Sequence, residues 1–556
     1  MRTKLLLGLI FGAAICFFSQ SCIVSSSKEQ VSLLLTNGKI FTADEKGTIV
    51  EALAVKDDRI VALGTTADIT EKYSAPQTID LKGKFATPGF NDAHSHFANG
   101  GVAKLNVDLV GSKSLDEVRS RLADRIKQEQ PGAWVVGRGW DHTLWGNAWP
   151  SRHDLDSVSP NNPVFVTRVD GHVSLANTKA LEVAGIVNTT ANPQGGEIER
   201  DSQGEATGIL KETAAGLVEK VIPPPTPEQR ERGILMALDE AKQYGLTSLH
   251  DNSEWDSFLV LEKLKKDGKL SLRVCEWQDF RLPVEELKKQ RVEHPGDNML
   301  RFGALKGFMD GSLGSRTAYM LAPYSDDPTT SGIPRLSQDQ LNQMTIERDR
   351  EGWQIAFHAI GDAGNRMALD AFEAAQKANG KRDSRDRIEH AQVVHPDDFV
   401  RFHDLGVIAS VQPCHILTDK RWAFQRIGPY RSLGAYAWNT FKSYGVHIPF
   451  GTDYPVEVMD TYRNLYAAIT RLSEDEAPGL GWEPEEKLTM AEAIRDYTYE
   501  PAFASFEEKE KGTLEVGKLA DIAVHSQDLL TIPPKDVLNV RAVMVILGGK
   551  VIYTKE

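Results

Sequence analysis

Cysteine is scarce in this 556-residue chain, which has four, at positions 16, 22, 275 and 414. Two of them stand at the extreme N-terminus, so a disulfide framework is not indicated. Cys275 and Cys414 follow the apolar, strand-like stretches Leu-Arg-Val and Ser-Val-Gln-Pro. A buried structural thiol is expected there, with a thiol nucleophile at Cys414 as the rival. Clusters of Lys and Arg are also missing, and the formal net charge is −14, from 64 basic and 78 acidic side chains. Phosphate contacts need clustered cations, so no nucleic-acid partner is expected. No run of about 18 apolar residues follows residue 18, which leaves no membrane span in the body of the chain. The Gly-rich turn that accompanies a bound dinucleotide is absent as well. What is present, 41% hydrophobic and 26% charged residues, suffices for a large core and excludes disorder and collagen-like folds. A small molecule is the expected ligand.

The N-terminus reads Met1-Arg2-Thr3-Lys4, then mostly apolar residues over 5–18, then Ser19-Gln20-Ser21-Cys22. A basic start, a short apolar run and small residues make a secretory signal over 1–22, too short for a stable span. The Ser-Gln-Ser-Cys junction looks like a bacterial lipobox with Cys22 as the lipidated first residue; ordinary signal cleavage or an uncleaved anchor are alternatives. The expected address is the bacterial cell envelope, periplasmic or outer membrane, with membrane contact only through an N-terminal lipid.

Residues 31–87 are short strand-like runs broken by Gly and Asp, and 512–556 resemble them. Neither end holds enough apolar residues for its own core, so the two are expected to pair into one small β-sandwich. Between them, over 88–511, apolar strands alternate with amphipathic helices. Ser114-Leu-Asp-Glu117 is a capping box ahead of Leu115, Val118, Leu122 and Ile126. Thr226-Pro227-Glu228-Gln229 opens a second helix, and Ser337 with Gln340 a third. Strands follow at Trp134, Leu246 and Trp353. This alternation predicts an α/β fold, a (β/α)8 TIM-like barrel with long insertions, with an open doubly wound sheet as the rival.

Metal-binding side chains stand at the ends of these strands. Pro88-Gly-Phe-Asn-Asp-Ala-His94-Ser-His96 closes the first, and residues at i and i+2 share a strand face. Gln354-Ile-Ala-Phe-His358, Arg387-Ile-Glu-His390 and Ile448-Pro-Phe-Gly-Thr-Asp453 end three more. Each alone has a bland explanation, a hydrogen-bonded core His or a capping Asp. Together, at the face where barrel active sites are built, they make the ligand set of zinc or a similar divalent ion.

The order His-x-His, His, His, Asp, with Gly512-Thr-Leu-Glu-Val-Gly-Lys-Leu-Ala-Asp521 near the C-terminus, resembles the amidohydrolase superfamily of metal-dependent hydrolases. Gly139-Trp140-Asp141, Asp170-Gly171-His172, the run from Lys306 through Asp310 to Arg316, and Gly451-Thr-Asp453-Tyr-Pro resemble its amidohydrolase family 3 branch, which includes N-substituted formamide deformylases. The resemblance runs from about Val31 to the C-terminus and is specific for fold and metal rather than for substrate.

It implies that Lys306 can be carboxylated by CO2, its carbamate bridging two ions. His94, His96 and Asp453 would then hold one, and His358 and His390 the other. With an unmodified Lys306 paired to Asp310 or Asp453, a single ion sits on His94, His96, a further His and Asp453. Either way, bound water deprotonated near neutral pH attacks a carbonyl, and Asp453 acts as general base and then acid. Trp140, Asp141, His172, Asp310 and Arg316 are the expected substrate-binding residues, with Trp145, Trp149, His142 and His250 near them; packing, or hydrogen bonds that support other site residues, are the alternative. Residues 415–439 read as a lid or a surface connection. Other histidines, at 153, 395, 403, 447 and 525, carry no assigned role.

The expected function is hydrolysis of a C–N bond in an amide, formamide or cyclic amide. The same site acting on a lactone, carbamate or phosphoester, or as an isomerase or hydratase, stays open. So do a non-catalytic solute-binding lipoprotein and a homo-oligomeric state.

Overall fold

The computed structural model describes residues 28–555 except 147, 169–172, 194–195, 315 and 478. The N-terminal signal with Cys16 and Cys22, and His172, lie outside the described residues.

Seven strands form one all-parallel sheet: Phe90–Ser95, Leu246–Asp251, Arg273–Asp279, Leu300–Phe308, Ile355–Ala359, Arg387–His390 and Ile408–Ser410, each beside the next in chain order. They are called the first to seventh barrel strands below. Most of their residues are buried on both faces, as a parallel sheet covered by helices requires; all six of Leu246–Asp251 are buried. Residues 447–453 fill the gap between the seventh and first strands. Gly451 N donates to Val411 O at 3.0 Å on one side, and Ala93 N to Phe450 O at 2.8 Å on the other. The ring is thereby a TIM-like barrel whose eighth member is this short extended segment.

The helices start where the sequence sets their caps. Pro227–Gln243 and Gln338–Arg350 have complete capping boxes, on Thr226 with Gln229 and on Ser337 with Gln340. At Leu115–Ile126, Ser114 accepts from Glu117 N, but the Glu117 carboxylate reaches Lys113 N at 2.9 Å instead of closing the box on Ser114.

That helix, and the strand after Trp134, belong to an insertion rather than to the barrel. Between the first and second barrel strands the chain builds a six-stranded sheet in the order Val107–Asp108, Val135–Trp140, Val164–Arg168, Val173–Ala176, Ala206–Glu212, Gly196–Arg200. The first three strands run parallel and the rest antiparallel. An apolar strand after an amphipathic helix fits either sheet, because local periodicity says nothing of the pairing partner.

Strands from both chain ends share a second assembly. Ile522–His525 lies antiparallel to Phe85–Pro88 in a six-stranded sheet that also holds Lys39–Phe41 and Ala542–Leu547. A four-stranded sheet containing Leu33–Thr36 and Ala52–Lys56 accompanies it. Leu33, Leu35, Leu53, Val55, Ile522 and Ile546 form a shared buried cluster of this small β-sandwich. Arg273 on the third barrel strand binds Asp521 through Nε at 2.7 Å and Nη2 at 3.0 Å, both side chains buried, and so fastens the barrel to the sandwich. Among the described residues no helix is long and apolar enough to cross a membrane.

Candidate metal centre

The first barrel strand ends in His94 and passes through Ser95 to His96, which stands ahead of helix Phe97–Ala103. Asp251, at the end of the second strand, accepts from Phe97 N at 2.6 Å and Ala98 N at 3.2 Å, and this fixes the turn carrying His96. Asp92 ties the first strand to the closing segment by accepting from His94 N and from the Thr452 backbone and hydroxyl. His390 (φ 75°) and Asp453 (φ 57°) both adopt the left-handed backbone conformation. Asp and His are among the residues that tolerate it best, and such strain gathers where a side chain must be aimed.

His94, His390 and Asp453 present ligand atoms all within 4.8 Å of one another, and all three are buried. Asp453 Oδ1 lies 3.4 Å from His94 Nε2 and 3.3 Å from His96 Nε2. Two atoms bound tetrahedrally at about 2.1 Å from zinc stand about 3.4 Å apart, so the spacing fits a shared ion. Asp453 Oδ1 is also buried without a hydrogen-bond partner. His358 extends the cluster, its ring 4.5 Å from that of His390, which in turn stands 5.1 Å from His94. Lys306 Nζ is 3.4 Å from His94 Nε2. The chain thus brings together six side chains that the sequence places on five different strand ends.

Each imidazole has an oxygen close to its other nitrogen. His94 Nδ1 lies 2.8 Å from Glu389 Oε2, His96 Nδ1 2.8 Å from Asn252 O, and His390 Nδ1 2.7 Å from Gln412 Oε1. His358 Nε2 faces Gly311 O at 3.0 Å and Asp310 Oδ1 at 3.5 Å. An oxygen on one ring nitrogen calls for a proton there and leaves the lone pair of the other for a metal. Glu389 is itself clamped by the buried Arg387, whose guanidinium also donates to Ala93 O and Ser410 Oγ.

The charge states agree with this arrangement. Burial, reinforced by Lys306, pushes His358 down to about 3, and burial with His358 takes His390 well below its ordinary value, so both are neutral. Burial raises the Asp453 carboxyl, but the neighbouring His94 and His96 rings outweigh it and hold the group well below the carboxylate range. Glu389 is likewise held low against its burial by Arg387. Burial lowers Lys306 to about 8, against the pull of Glu389 and Asp453. About a tenth of the amine is then neutral at pH 7, and neutral amine is the form that reacts with CO2.

The proposed substrate residues are placed differently. Asp310 is buried and spends its oxygens on Tyr319, Ile360 and Gly361 backbone N–H groups and on His358; burial lifts it to about 7. Arg316 pairs with Asp326 at 3.0 Å. Trp140 is in the core of the insertion, its indole N–H donating to Val166 O at 2.9 Å, and Asp141 pairs with Arg168 at 2.7 Å. His142 stacks on Trp149 at 3.9 Å. His250 is buried in the barrel, with Nδ1 3.0 Å from Arg387.

Sequence reasoning missed His415. Its Nε2 is buried without a hydrogen-bond partner, 3.6 Å from Asp453 Oδ2, and its ring lies parallel to that of His390. The signal was available, because Ser410-Val-Gln-Pro-Cys-His415 follows an apolar strand just as the other site residues do. Glu389 and Gln412 were also missed, although Glu389 directly precedes a named histidine.

Comparison with known proteins agrees with this geometry. The model of the amidohydrolase family matches residues 77–553. Protein LONG AFTER FAR-RED 3 of Arabidopsis thaliana is 33% identical over 94% of this chain and 91% of its own. An N-substituted formamide deformylase of Arthrobacter pascens is 28% identical over 89% and 93%. A crystal structure of an uncharacterized metal-dependent hydrolase from Pyrococcus furiosus superposes with a TM-score of 0.75 and 30% identity, covering 90% of this chain and 100% of that one. On matched length, fold and clustered ligands together, the chain belongs to the amidohydrolase family of metal-dependent hydrolases.

Proposed function

We propose that the protein hydrolyses a carbon–nitrogen bond, in an amide, formamide or cyclic amide, of a small molecule. The observation that carries this is the convergence of His94, His390 and Asp453, with His96 Nε2 3.3 Å from the same carboxylate oxygen, which is buried without a partner. In this reading His94, His96 and Asp453 would hold one divalent ion, zinc by donor chemistry, and His358 and His390, with Lys306 as its carbamate, would hold a second. A divalent ion held there would lower the pKa of bound water toward about 7 and polarise a carbonyl oxygen.

The chain's own groups supply the proton traffic. Asp453 accepts the proton of the attacking water as the new C–O bond forms, then returns it to the nitrogen as the C–N bond breaks, giving a carboxylic acid and an amine. His415, 3.6 Å from Asp453 Oδ2, is placed to orient that carboxylate. Glu389 and Arg387 keep the His94 ring in the ligating orientation. The 28%-identical formamide deformylase makes N-formyl amines the first compounds to try.

A screen of N-formyl, N-acyl, cyclic amide and lactone compounds against wild type and Asp453→Asn tests this reading. Release of amine by the wild type alone is the expected result. Turnover confined to lactones would replace the amide reading with an ester one, and equal turnover by both proteins would remove Asp453 from the mechanism.

A further inference from the structure

A cleft of about 630 Å³ runs from the metal centre outward between the third barrel strand and helices Trp255–Lys266 and Val284–Glu293. His96 and Lys306 line its inner end. On the third strand Trp277 faces the barrel interior, its ring 5.4 Å from His94, so strand alternation turns Glu276 and Gln278 to the opposite face. Both line the cleft, and both are buried, with 2% and 5% exposure.

Each leaves one oxygen without a partner. Glu276 Oε1 accepts from Ser253 N at 3.3 Å, whereas Oε2 has no hydrogen bond. For Gln278 the amide orientation is dictated by a relay. The Glu286 carboxylate accepts from Gln290 Nε2 at 3.2 Å, and Gln290 Oε1 accepts from Gln278 Nε2 at 2.6 Å. Gln278 Oε1 is therefore left as a bare acceptor. Buried acceptors of this kind are costly unless a donor arrives.

The surroundings restrict what that donor can be. Trp255, Phe258 and Phe302 form one stacked aromatic group, with Phe258 and Phe302 centroids 4.6 Å apart. Lys306, at the metal end and a carbamate in the reading above, is the sole Lys or Arg among the lining residues. Burial, with Asp251 nearby, raises the Glu276 carboxyl well above its ordinary range, and a cation bound beside it would supply the missing counter-charge and favour the carboxylate. Aromatic faces and carbonyl-type acceptors together favour a cationic nitrogen on an apolar stem.

We propose that this cleft receives a substrate arm ending in an ammonium or amidinium group and that Glu276 and Gln278 select it. Its use in turnover rests on the C–N hydrolase reading above; the binding preference does not. Calorimetry on the full, metal-loaded chain with phenethylammonium and with neutral 2-phenylethanol reads the preference directly. The wild type is expected to bind the cation about tenfold more tightly or better, and the difference is expected to collapse in Glu276→Gln and shrink in Gln278→Leu. Equal binding of the two probes by wild type, or a preference that survives both substitutions in folded protein, overturns the proposal. Where N-formyl amines are turned over, kcat/KM for an arm bearing a terminal ammonium against its methyl isostere should show the same ratio. Selective binding without turnover would instead count against the hydrolase reading and leave the cleft assignment standing.

Discussion

Asp453 takes its position from a left-handed backbone and takes its charge state from two histidines, so its effect on catalysis should separate from its effect on folding. Asp453→Asn is expected to lower kcat by about 10²–10⁴-fold while circular dichroism stays at wild type; retained turnover would rule out its proton role. Lys306→Ala is expected to lose one ion and to recover activity when short carboxylic acids stand in for the carbamate. Full metal content and rate in that variant would leave the single-ion arrangement. Glu389→Gln keeps the size of the side chain but weakens its hold on His94 Nδ1, and zinc affinity measured against a competing chelator should fall about 10–100-fold. His94, His96, His358, His390 and Asp453 were readable in the sequence because each ends an apolar strand. His415 offered the same signal and was passed over, whereas Glu389 and Gln412 were not readable, because a supporting role depends on which way a ring turns, and spacing along the chain does not encode that.

The elements that carry these residues meet at very close range. A Cβ at Gly451 would lie 2.6 Å from His94 N and 2.9 Å from His94 O, both backbone atoms that cannot swing aside. Gly451→Ala must therefore push the closing segment away from the first barrel strand. The expected cost is about 1–3 kcal/mol by thermal unfolding, with weaker metal binding; an unchanged melting temperature and zinc affinity would show that the barrel seam tolerates the shift. Helix starts at Thr226 and Ser337 were legible, since a capping box is a local signal. The sheet to which the strand after Trp134 belongs was not legible. Its partner Val164–Arg168 lies beyond a helix and loops, and an apolar strand reads alike in the barrel and in the insertion. That difference also explains why Trp140, expected in the substrate pocket, is packed in the insertion core.

At the scale of the whole molecule, the strand-like character shared by both chain ends correctly foretold their pairing. The fastening to the barrel was hidden in a motif residue. Asp521, part of the C-terminal Gly-x-Leu signature, binds buried Arg273 and accepts from Gly548 N at 2.8 Å. Asp521→Ala strands that guanidinium in the interior, and urea unfolding should report a loss of about 3–5 kcal/mol; a loss below 1 kcal/mol would mean that the joint is held by packing alone. The metal centre depends on that same third strand and its neighbours staying in register, so fold and chemistry rest on one frame. The most direct measurement of the central claim is the divalent-metal content per purified chain, by mass spectrometry, in wild type and in His390→Ala. One to two tightly held ions in wild type and fewer in the variant are predicted. A wild-type chain that hydrolyses its substrate with no stoichiometric metal, or a variant that keeps the full complement, would contradict it.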